Sequence, residues 1–514
     1  MSKWNEDYSL TNARVSRVLG YGSYAGAEYS EWNQSWNTSN ASPDTHLSGD
    51  LEVLRARSAD LHRNSALISG ATQGLAVGVV GRGIRPRAKA ISGVDAVQDA
   101  EIRNILDREW AEFQKTACAD GVTSFYELQN QAVLSMVRDG DVLAIFPDID
   151  NGKSLAVDLI AANRVSTPQK GPTDRIRHGV EYKSRRVSAY WVSVSEDSTT
   201  SEHYRFPIDR NGRLNARMLT RPMAKTPGQS RAVPLISAAI GRVKDVETYA
   251  QAEIRRAVAS AKVTGVLSSP DPQKIAEAWS NLQSGNELAE TYKSRSFGQL
   301  FDAQIMSLAS GESMQMFSPN NTNPGFGGFI ETTLKQIAGC YGTPWSVCFN
   351  ILDKLNYSNA RTNKTAARRV YELWQSVLID NLCQPTWELF VTYLWANGKL
   401  PGVRAVTPDL LRCEWRTDVE RWIDPAKEVS AAGDAIALGL ASNISACSDI
   451  GEDAYEVARN QMDYVQWRKA ELELRGLDEL DLGFVPSESY RKTESETETV
   501  KKDETKKPEE SPDE

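Results

Sequence analysis

Apolar positions along this chain change period several times, and each change marks a different element. From Gly49 to about Gly78 they recur at helical spacing: Leu51, Leu54, Ala59 and Leu61, then Ala66, Ile68, Ala71 and Leu75. The run from Val77 through Gly81-Arg82-Gly83 to Pro86 reads as a helix end leading into a strand and turn. Two more helices are predicted, over roughly 97–118 and 124–137. A β-rich block follows. Asp139-Gly140 and Asn151-Gly152 separate the apolar runs 133–137, 142–146 and 155–160. Both dipeptides are hairpin signals, although the first could equally close the preceding helix. Alternation resumes over 187–194 around Tyr190, Trp191 and Val192, and a Pro/Gly/Arg-rich stretch occupies 221–231.

After Pro234 the period turns helical as far as Lys262, through Leu235, Ala239, Val243, Val246, Tyr249 and Ile254. Proline suits the first position of a helix, and a helix of that span is roughly 40 Å long. Residues 263–325 read as a separable insert, with strands at 263–267, 300–305 and 314–317, a helical stretch at 272–282 and a polar loop at 318–325. A helix over 329–340 closes it. The polar segment Asn356-Tyr357-Ser358-Asn359-Ala360-Arg361 then leads into a helix reaching Ile379, interrupted before Pro385 and resumed through Leu394. Ser358 is the expected cap of that helix, so the loop before it should sit on a rigid support. The remainder reads as 415–422, Asp424-Pro425, and helices near 426–440 and 452–475.

A chain of 514 residues is too long for one simple core, and two or three domains are expected. The first fifty residues, rich in Ser, Asn, Tyr, Gly and Trp, read as an extended arm. The Glu/Thr/Ser/Lys-rich end from Ser487 onward reads as disordered. Net charge is −9, and residues 483–514 hold ten acidic and six basic side chains, so the body of the chain is only mildly acidic. That balance argues against a binder that gains affinity by counterion release. It does not exclude DNA as a passenger, because a surface over which DNA slides should not hold it.

Six scattered cysteines, with no Cys-x-x-Cys pair and only four histidines, predict reduced thiols rather than a zinc site or a disulfide framework. No run of about eighteen apolar residues occurs, and the start lacks the apolar core of a signal peptide. Synthesis in the cytosol without a membrane span is the expectation.

Candidate chemistry is sparse. Gly81-x-Gly83 follows an apolar run, but Arg85-Pro86-Arg87 stands where a phosphate-binding helix should open. Asp139, Asp141, Asp148 and Asp150 could ligate a metal for nuclease work, but turn-forming aspartate explains them more simply. No Gly-x-Ser-x-Gly occurs, and His46, His62, His178 and His203 sit in polar contexts that point to no triad. Neither catalysis nor a cofactor is expected. Lys354, Arg361, Lys364, Arg368 and Arg369 form a basic patch interleaved with Asn356, Tyr357 and Asn359. It reads either as a solvated helix face or as a sequence-blind contact for a phosphate backbone.

An ordered series of segments resembles the lambda-like family of portal proteins of tailed bacteriophages. It runs from Arg55-Ala56-Arg57-Ser58-Ala59-Asp60-Leu61-His62-Arg63-Asn64 and Val80-Gly81-Arg82-Gly83-Ile84 to Arg138-Asp139-Gly140-Asp141-Val142 and His178-Gly179-Val180-Glu181-Tyr182. Pro234-Leu235-Ile236, Gly342-Thr343-Pro344 with the Asn356–Arg361 segment, and Trp422-Ile423-Asp424-Pro425-Ala426-Lys427-Glu428 complete it. The resemblance covers about 20–475, with one departure: Ser230-Arg231-Ala232-Val233-Pro234 stands where relatives often carry a fuller Arg-Gly-x-Pro.

The resemblance implies an α+β portal fold assembled as a ring of about twelve copies around a tunnel for double-stranded DNA. In that scheme 1–50 is the arm, 51–233 the wing, and 234–262 and 326–341 the stem helices. The clip is 263–325, 342–361 is the tunnel loop, 362–422 holds a wing helix and return strands, 423–476 is the crown, and 477–514 is an acidic tail. Lys354, Asn356, Tyr357, Ser358, Asn359 and Arg361 would then face the DNA channel. Implied partners are the terminase large subunit, a head-completion or tail adaptor protein, and the major capsid and scaffolding proteins. The implied setting is one capsid vertex of the virion, reached from the host cytoplasm. The competing readings are a metal-dependent nuclease or hydrolase built on the aspartates near residue 140, and a non-channel adaptor.

Overall fold

The computed structural model describes residues 38–89, 95–149, 154–169, 173–195, 202–210, 212–262, 266–268, 313–315, 325–351, 356–417, 425–452 and 454–476. The chain falls into two compact units, Met1–Trp415 and Arg416–Glu514. The fold class is α+β, as the sequence implied.

The first unit opens with helices α1 (Pro43–Asn64) and α2 (Ala66–Val80). One long helical period therefore becomes two helices, because Ser65 takes an extended conformation and serves both ends. Its N–H donates to the Leu61 carbonyl at 2.8 Å, and its hydroxyl faces the Ile68 N–H at the start of α2. Helix α3 (Ala96–Phe113) and helix α4 (Phe125–Asp139) follow as the periodicity predicted. Ser124 caps α4, its hydroxyl accepting the Glu127 N–H at 3.2 Å. Asp139-Gly140 ends this helix and is not a hairpin. Gly81 and Gly83 are followed by the strand Arg85–Ala88, which pairs with Cys413–Arg416, so no helix N-terminus meets the glycines.

Two larger antiparallel sheets form most of the β-rich part. Strands 216–220, 141–145 and 158–160 make one, and 176–177, 180–183, 186–193 and 203–207 make the other. Leu143, Ile160, Val180, Tyr190, Val192 and Ala216 close a small core between them. Asn151-Gly152 lies outside the described residues, but the flanking pairs 148–149 and 154–155 are antiparallel, as a hairpin there requires.

Helix α5 (Ile240–Lys262) starts six residues later than its apolar stripe predicted. The preceding residues are held in tighter turns. The Leu235 N–H donates to the Val137 carbonyl, and the Pro234 carbonyl accepts from both the N–H and the hydroxyl of Ser237. Twenty-three residues give a length of about 35 Å. Of the predicted insert, only the antiparallel pair 266–268 and 313–315 is described; the expected helix at 272–282 and strand at 300–305 lie outside. Helix α6 (Phe326–Tyr341) packs on α5, with Tyr249 against the rings of Phe326 and Phe329 at 5.4 and 5.1 Å.

Helices α7 (Trp345–Cys348), α8 (Tyr357–Leu378) and α9 (Gln384–Ala396) complete the unit. The expected interruption before Pro385 is a π-helical turn, Ile379–Cys383. A proline here has no N–H and its ring would strike the carbonyl one turn back, so a wider turn lets the helix continue. Trp110, Phe125, Trp387 and Phe390 pack around one another with ring centroids 5.1 to 5.8 Å apart, at the centre of the main core. The second unit holds α10 (Pro425–Ala437), α11 (Asn443–Asp449), which the sequence reading lacked, and α12 (Ala454–Arg475).

One backbone crossing fixes how the chain enters α5. Gly140 has φ +95, and a Cβ there would lie 2.6 Å from the carbonyl carbon and oxygen of Val233. Gly140→Ala is expected to lower stability by on the order of 2 kcal/mol or more, since both the left-handed backbone and the crossing are violated. Thermal unfolding of the purified chain reads the loss.

Candidate functional site

The segment from Gly342 to Arg361 is anchored at both ends. Gly342, in the left-handed region at φ +72, ends α6 with its N–H on the carbonyls of Ala338 and Gly339. Tyr341 is buried and its hydroxyl meets Thr72 Oγ1 of α2 at 3.1 Å. Thr72 Oγ1 also meets His62 Nε2 at 2.9 Å, which continues the contact to α1. Asn363 of α8 donates to Ser346 Oγ of α7 at 2.9 Å. Burial pushes the Cys348 thiol up to about 12, against the opposing pull of a hydrogen bond with Thr343, so this thiol is inert packing.

Helix α8 itself is clamped to α2. Gln375 donates to the Val79 carbonyl at 2.9 Å, and the Tyr371 ring lies so close to Gly78 that a Cβ there would sit 2.5 Å from it. The helix that follows the polar loop is therefore tied to α2, while residues 352–355 of the loop lie outside the described residues.

Its cap differs from the expected one. Asn356, not Ser358, caps α8: its backbone is extended and its Oδ1 accepts the Asn359 N–H at 2.9 Å. Ser358 is already inside the helix, with its carbonyl accepting from Thr362 Oγ1 at 3.0 Å. The side chain of Asn356 reaches the third helical N–H, so the helix begins at Tyr357, two residues earlier than a Ser358 cap would place it. Tyr357 is the first helical residue, and Ser358, Asn359 and Arg361 are exposed. Lys354 lies outside the described residues. Along the helix, Lys364, Arg368 and Arg369 are exposed as well, and Arg368 pairs with Glu372 at 3.0 Å. The structure thus brings Asn356, Ser358, Asn359 and Arg361 together on one exposed helix start.

The aspartates near residue 140 have a different fate. Asp141 is wholly buried and accepts from Arg55 at 3.0 Å, from Arg231 at 2.7 and 2.8 Å, and from the Ala232 N–H at 3.1 Å. Asp139 is bound by Arg138 at 2.6 and 3.0 Å. Neither the turn reading nor the metal reading describes Asp141, whose oxygens are filled by guanidinium and backbone donors. The Asp148 side chain and Asp150 lie outside the described residues. Among the described residues, no group of three His, Cys, Asp or Glu could hold a metal ion.

This ion-pair network is what sequence reading missed. Arg231 is fully buried and uses five N–H groups, on both Asp141 oxygens and on the carbonyls of Val165, His178 and Ala162. Arg55 reaches Asp141 and the carbonyls of Asp139, Ala162 and Ala232. The signal was present in part, since Arg231 stood where the family motif departs and Asp141 lay within a quoted segment. Burial by itself would raise the Asp141 carboxyl, but Arg231 and Arg55 hold it below the ordinary range. Burial and the neighbouring Arg231 bring Arg55 down to about 10.

Comparison with known proteins places the chain in a class. The family model described as phage portal protein, lambda family, matches residues 30–375. The chain belongs to the lambda family of phage portal proteins. Among relatives, a probable portal protein of Halomonas phage phiHAP-1 is 24% identical over 440 residues, covering 82% of each chain. Portal protein B of Escherichia phage lambda is 21% identical over 479 residues, covering 85% of this chain and 88% of that one. A chain from the neck of an empty gene transfer agent particle is 14% identical and covers 78% of this chain and 93% of its own, with a TM-score of 0.45. That overlay is loose, and the family assignment stands on sequence.

Replacing Asp141 with Asn strands two buried guanidinium groups and should cost about 3–5 kcal/mol. The sign of the pH dependence follows from the lowered carboxyl. Its contribution is fully present above the ordinary aspartate value near ~4 and is lost as pH falls through the lower folded value. In denaturant unfolding, the difference between parent and variant should therefore be constant at neutral pH and shrink in acid. A difference independent of pH down to strong acid contradicts the ion pair.

Proposed function

We propose that copies of this chain close into a ring of about twelve at one vertex of a phage capsid, forming the channel through which double-stranded DNA enters and leaves. The observation that carries the reading is the lambda-family portal match across 30–375, in a chain with an anchored polar segment where the tunnel loop is expected. The paired helices α5 and α6 fit the stem of such a ring. Ile254, Val258 and Phe329 stand exposed on them, apolar surface that neighbouring copies would cover. Residues 263–325 would form the clip, meeting the terminase large subunit and later a head-completion or tail adaptor. Residues 423–476 would form the crown inside the capsid, where the major capsid and scaffolding proteins assemble around the ring.

The channel would be passive. Lys354, Asn356, Tyr357, Ser358, Asn359 and Arg361 would face the passing duplex as a ring of hydrogen-bonding groups and positive charge, repeated once per copy. Phosphate contacts of this kind carry no sequence information, and the acidic balance of the chain keeps the DNA from being held. The role needs no catalytic group or cofactor. No helix among the described residues is long and apolar enough to cross a membrane. A metal-dependent nuclease built on Asp141 is disfavoured, because guanidinium and backbone donors already fill its oxygens.

Negative-stain images and a solution mass should show an annulus of many copies with an open centre; a monomer or a solid particle overturns the ring. Lys354→Ala with Arg361→Ala should leave the ring intact and lower the number of heads retaining full-length DNA several-fold. Unchanged packaged length and retention would remove the role assigned to this segment.

A further inference from the structure

Three side chains in a row hold the end of α6, and their hydrogens can be counted. Tyr341 Oη meets Thr72 Oγ1 at 3.1 Å, and Thr72 Oγ1 meets His62 Nε2 at 2.9 Å. The other ring nitrogen, Nδ1, lies 2.7 Å from the Ser58 carbonyl oxygen, one turn back in α1. A carbonyl only accepts, so Nδ1 carries the hydrogen and Nε2 of the neutral ring is the acceptor. The Ser58 hydroxyl, 3.5 Å from Nδ1, gives its own hydrogen to the Arg138 carbonyl at 2.6 Å. Thr72 therefore donates to His62, and Tyr341 donates to Thr72. Two hydrogens fill two gaps.

Protonation upsets the count. An imidazolium carries hydrogens on both nitrogens, so His62, Thr72 and Tyr341 then bring three hydrogens to the same two gaps. The Thr72 hydroxyl has no other partner among the described residues. Thr72 and Tyr341 are each 2% exposed, which keeps water from taking the third hydrogen. One donor is left unpaired in the interior, whichever way the hydroxyls turn, and such a group is costly.

The surroundings do little to hold a proton on the ring. From the end of α4, Asp139 favours the cation, but Arg138 binds its carboxylate at 2.6 and 3.0 Å and opposes the cation itself. Helix α2 carries no charged side chain. The groups facing Tyr341 are the thiols of Cys340 and Cys348, which burial keeps neutral. On α1 itself, Asp60 and Arg63 are exposed and face each other at 4.0 Å. Burial, with Arg138, brings His62 below the ordinary histidine value, against the pull of the Ser58 carbonyl and Asp139. The ring is only half-buried, so protons reach it.

We propose that His62 is an acid-sensitive latch: the neutral ring ties the last residue of α6 to α1 and α2, and the imidazolium releases it. What is released is the junction of α6 with Gly342 and α7, while the main core of the first unit stays closed. The latch stands on these contacts alone and holds whether or not copies of the chain form a ring. Its contribution to stability is fully present above the ordinary histidine value near ~6.5. It is lost as pH falls below that value toward the lower folded one.

Hydrogen–deuterium exchange of the full-length chain tests it, at about pH 7.5 and about pH 5, on either side of the histidine range. Exchange over residues 337–348 is read relative to 386–394 of α9 in the same sample, so the general effect of pH cancels. In the parent this ratio should rise several-fold in acid. His62→Gln has an amide oxygen at the distance of Nε2 from the backbone and takes up no proton in this range, so its ratio should stay at the parent's neutral value. Thr72→Ser keeps the hydroxyl and should keep the acid step. Thr72→Val lacks it and should exchange faster already at neutral pH, with no step. A parent ratio that does not change with pH overturns the latch, and so does a step that survives in His62→Gln. Should the glutamine variant be open at both pH values, the Thr72 pair decides: a step in the serine variant alone upholds the latch, and a step in both or in neither overturns it.

Discussion

One buried carboxylate holds the first unit together. Asp141 stands at the start of the central strand of the three-stranded sheet, and two guanidinium groups converge on it, one from 86 residues before it and one from 90 residues after it. Arg231 uses its planar fork to join that strand to the loop at Ala162–Val165, to the turn at His178 and to the chain entering α5. Arg55 adds α1 to the same point. A buried charge is tolerated only when it is paired and its remaining hydrogens are met, and here backbone carbonyls meet them. A lysine could not replace either arginine, because one ammonium cannot reach so many acceptors in different directions. The interaction contributes position more than net stability, since desolvation offsets much of the attraction. What it fixes is where the chain leaves the β-rich part for α5.

Gly140 belongs to the same device. Arg231 brings residues 232–233 directly over the end of α4, and only a residue without a side chain lets the backbones cross there. The Arg221 N–H donates to the Gly140 carbonyl, and the Leu235 N–H to that of Val137, so both sides of the crossing are tied. A different set of contacts, through Tyr341, Thr72, Asn363 and Gln375, ties the end of α6 and the helix α8 to their neighbours. Two independent anchorages thus define the start of α5 and the start of α8. If residues 342–361 line a channel, this arrangement lets many copies present the same groups at the same radius.

How much of this was legible in the sequence follows from the range of each interaction. Helices α3, α4 and α6 were read within a few residues, because their apolar period and local caps act over one or two turns. The strand at 186–193 was read from alternation, and the one at 141–145 from an apolar run between two turn signals. Where two local signals competed, local reading faltered. Ser358 looked like a cap, but Asn356 two residues earlier accepts the Asn359 N–H and starts the helix before the serine is reached. Ser65 split a continuous period because its own hydroxyl offered a second start. Pro234 looked like a first helical turn, but contacts to Val137 and Ser237 hold that turn in another form. The Arg55–Asp141–Arg231 network spans separations of 86 and 90 residues, and no local pattern announces it. Of the six channel candidates, only Lys354 falls outside the described residues, and the other five lie at the capped start of α8.

The two units draw their stability from different sources. The first carries a continuous apolar core with Trp387, Phe125 and Met136 fully inside, and its fold is self-sufficient in that sense. The second exposes the apolar side chains of all three of its described helices, Val429 and Ile444 as well as those of α12. Its order therefore depends on what covers it, and a contact available only in an assembly makes that order depend on concentration. If copies of the chain close into the proposed ring, closure and the ordering of the second unit become linked, while the first unit, with its own core, stays folded whether or not the ring has closed.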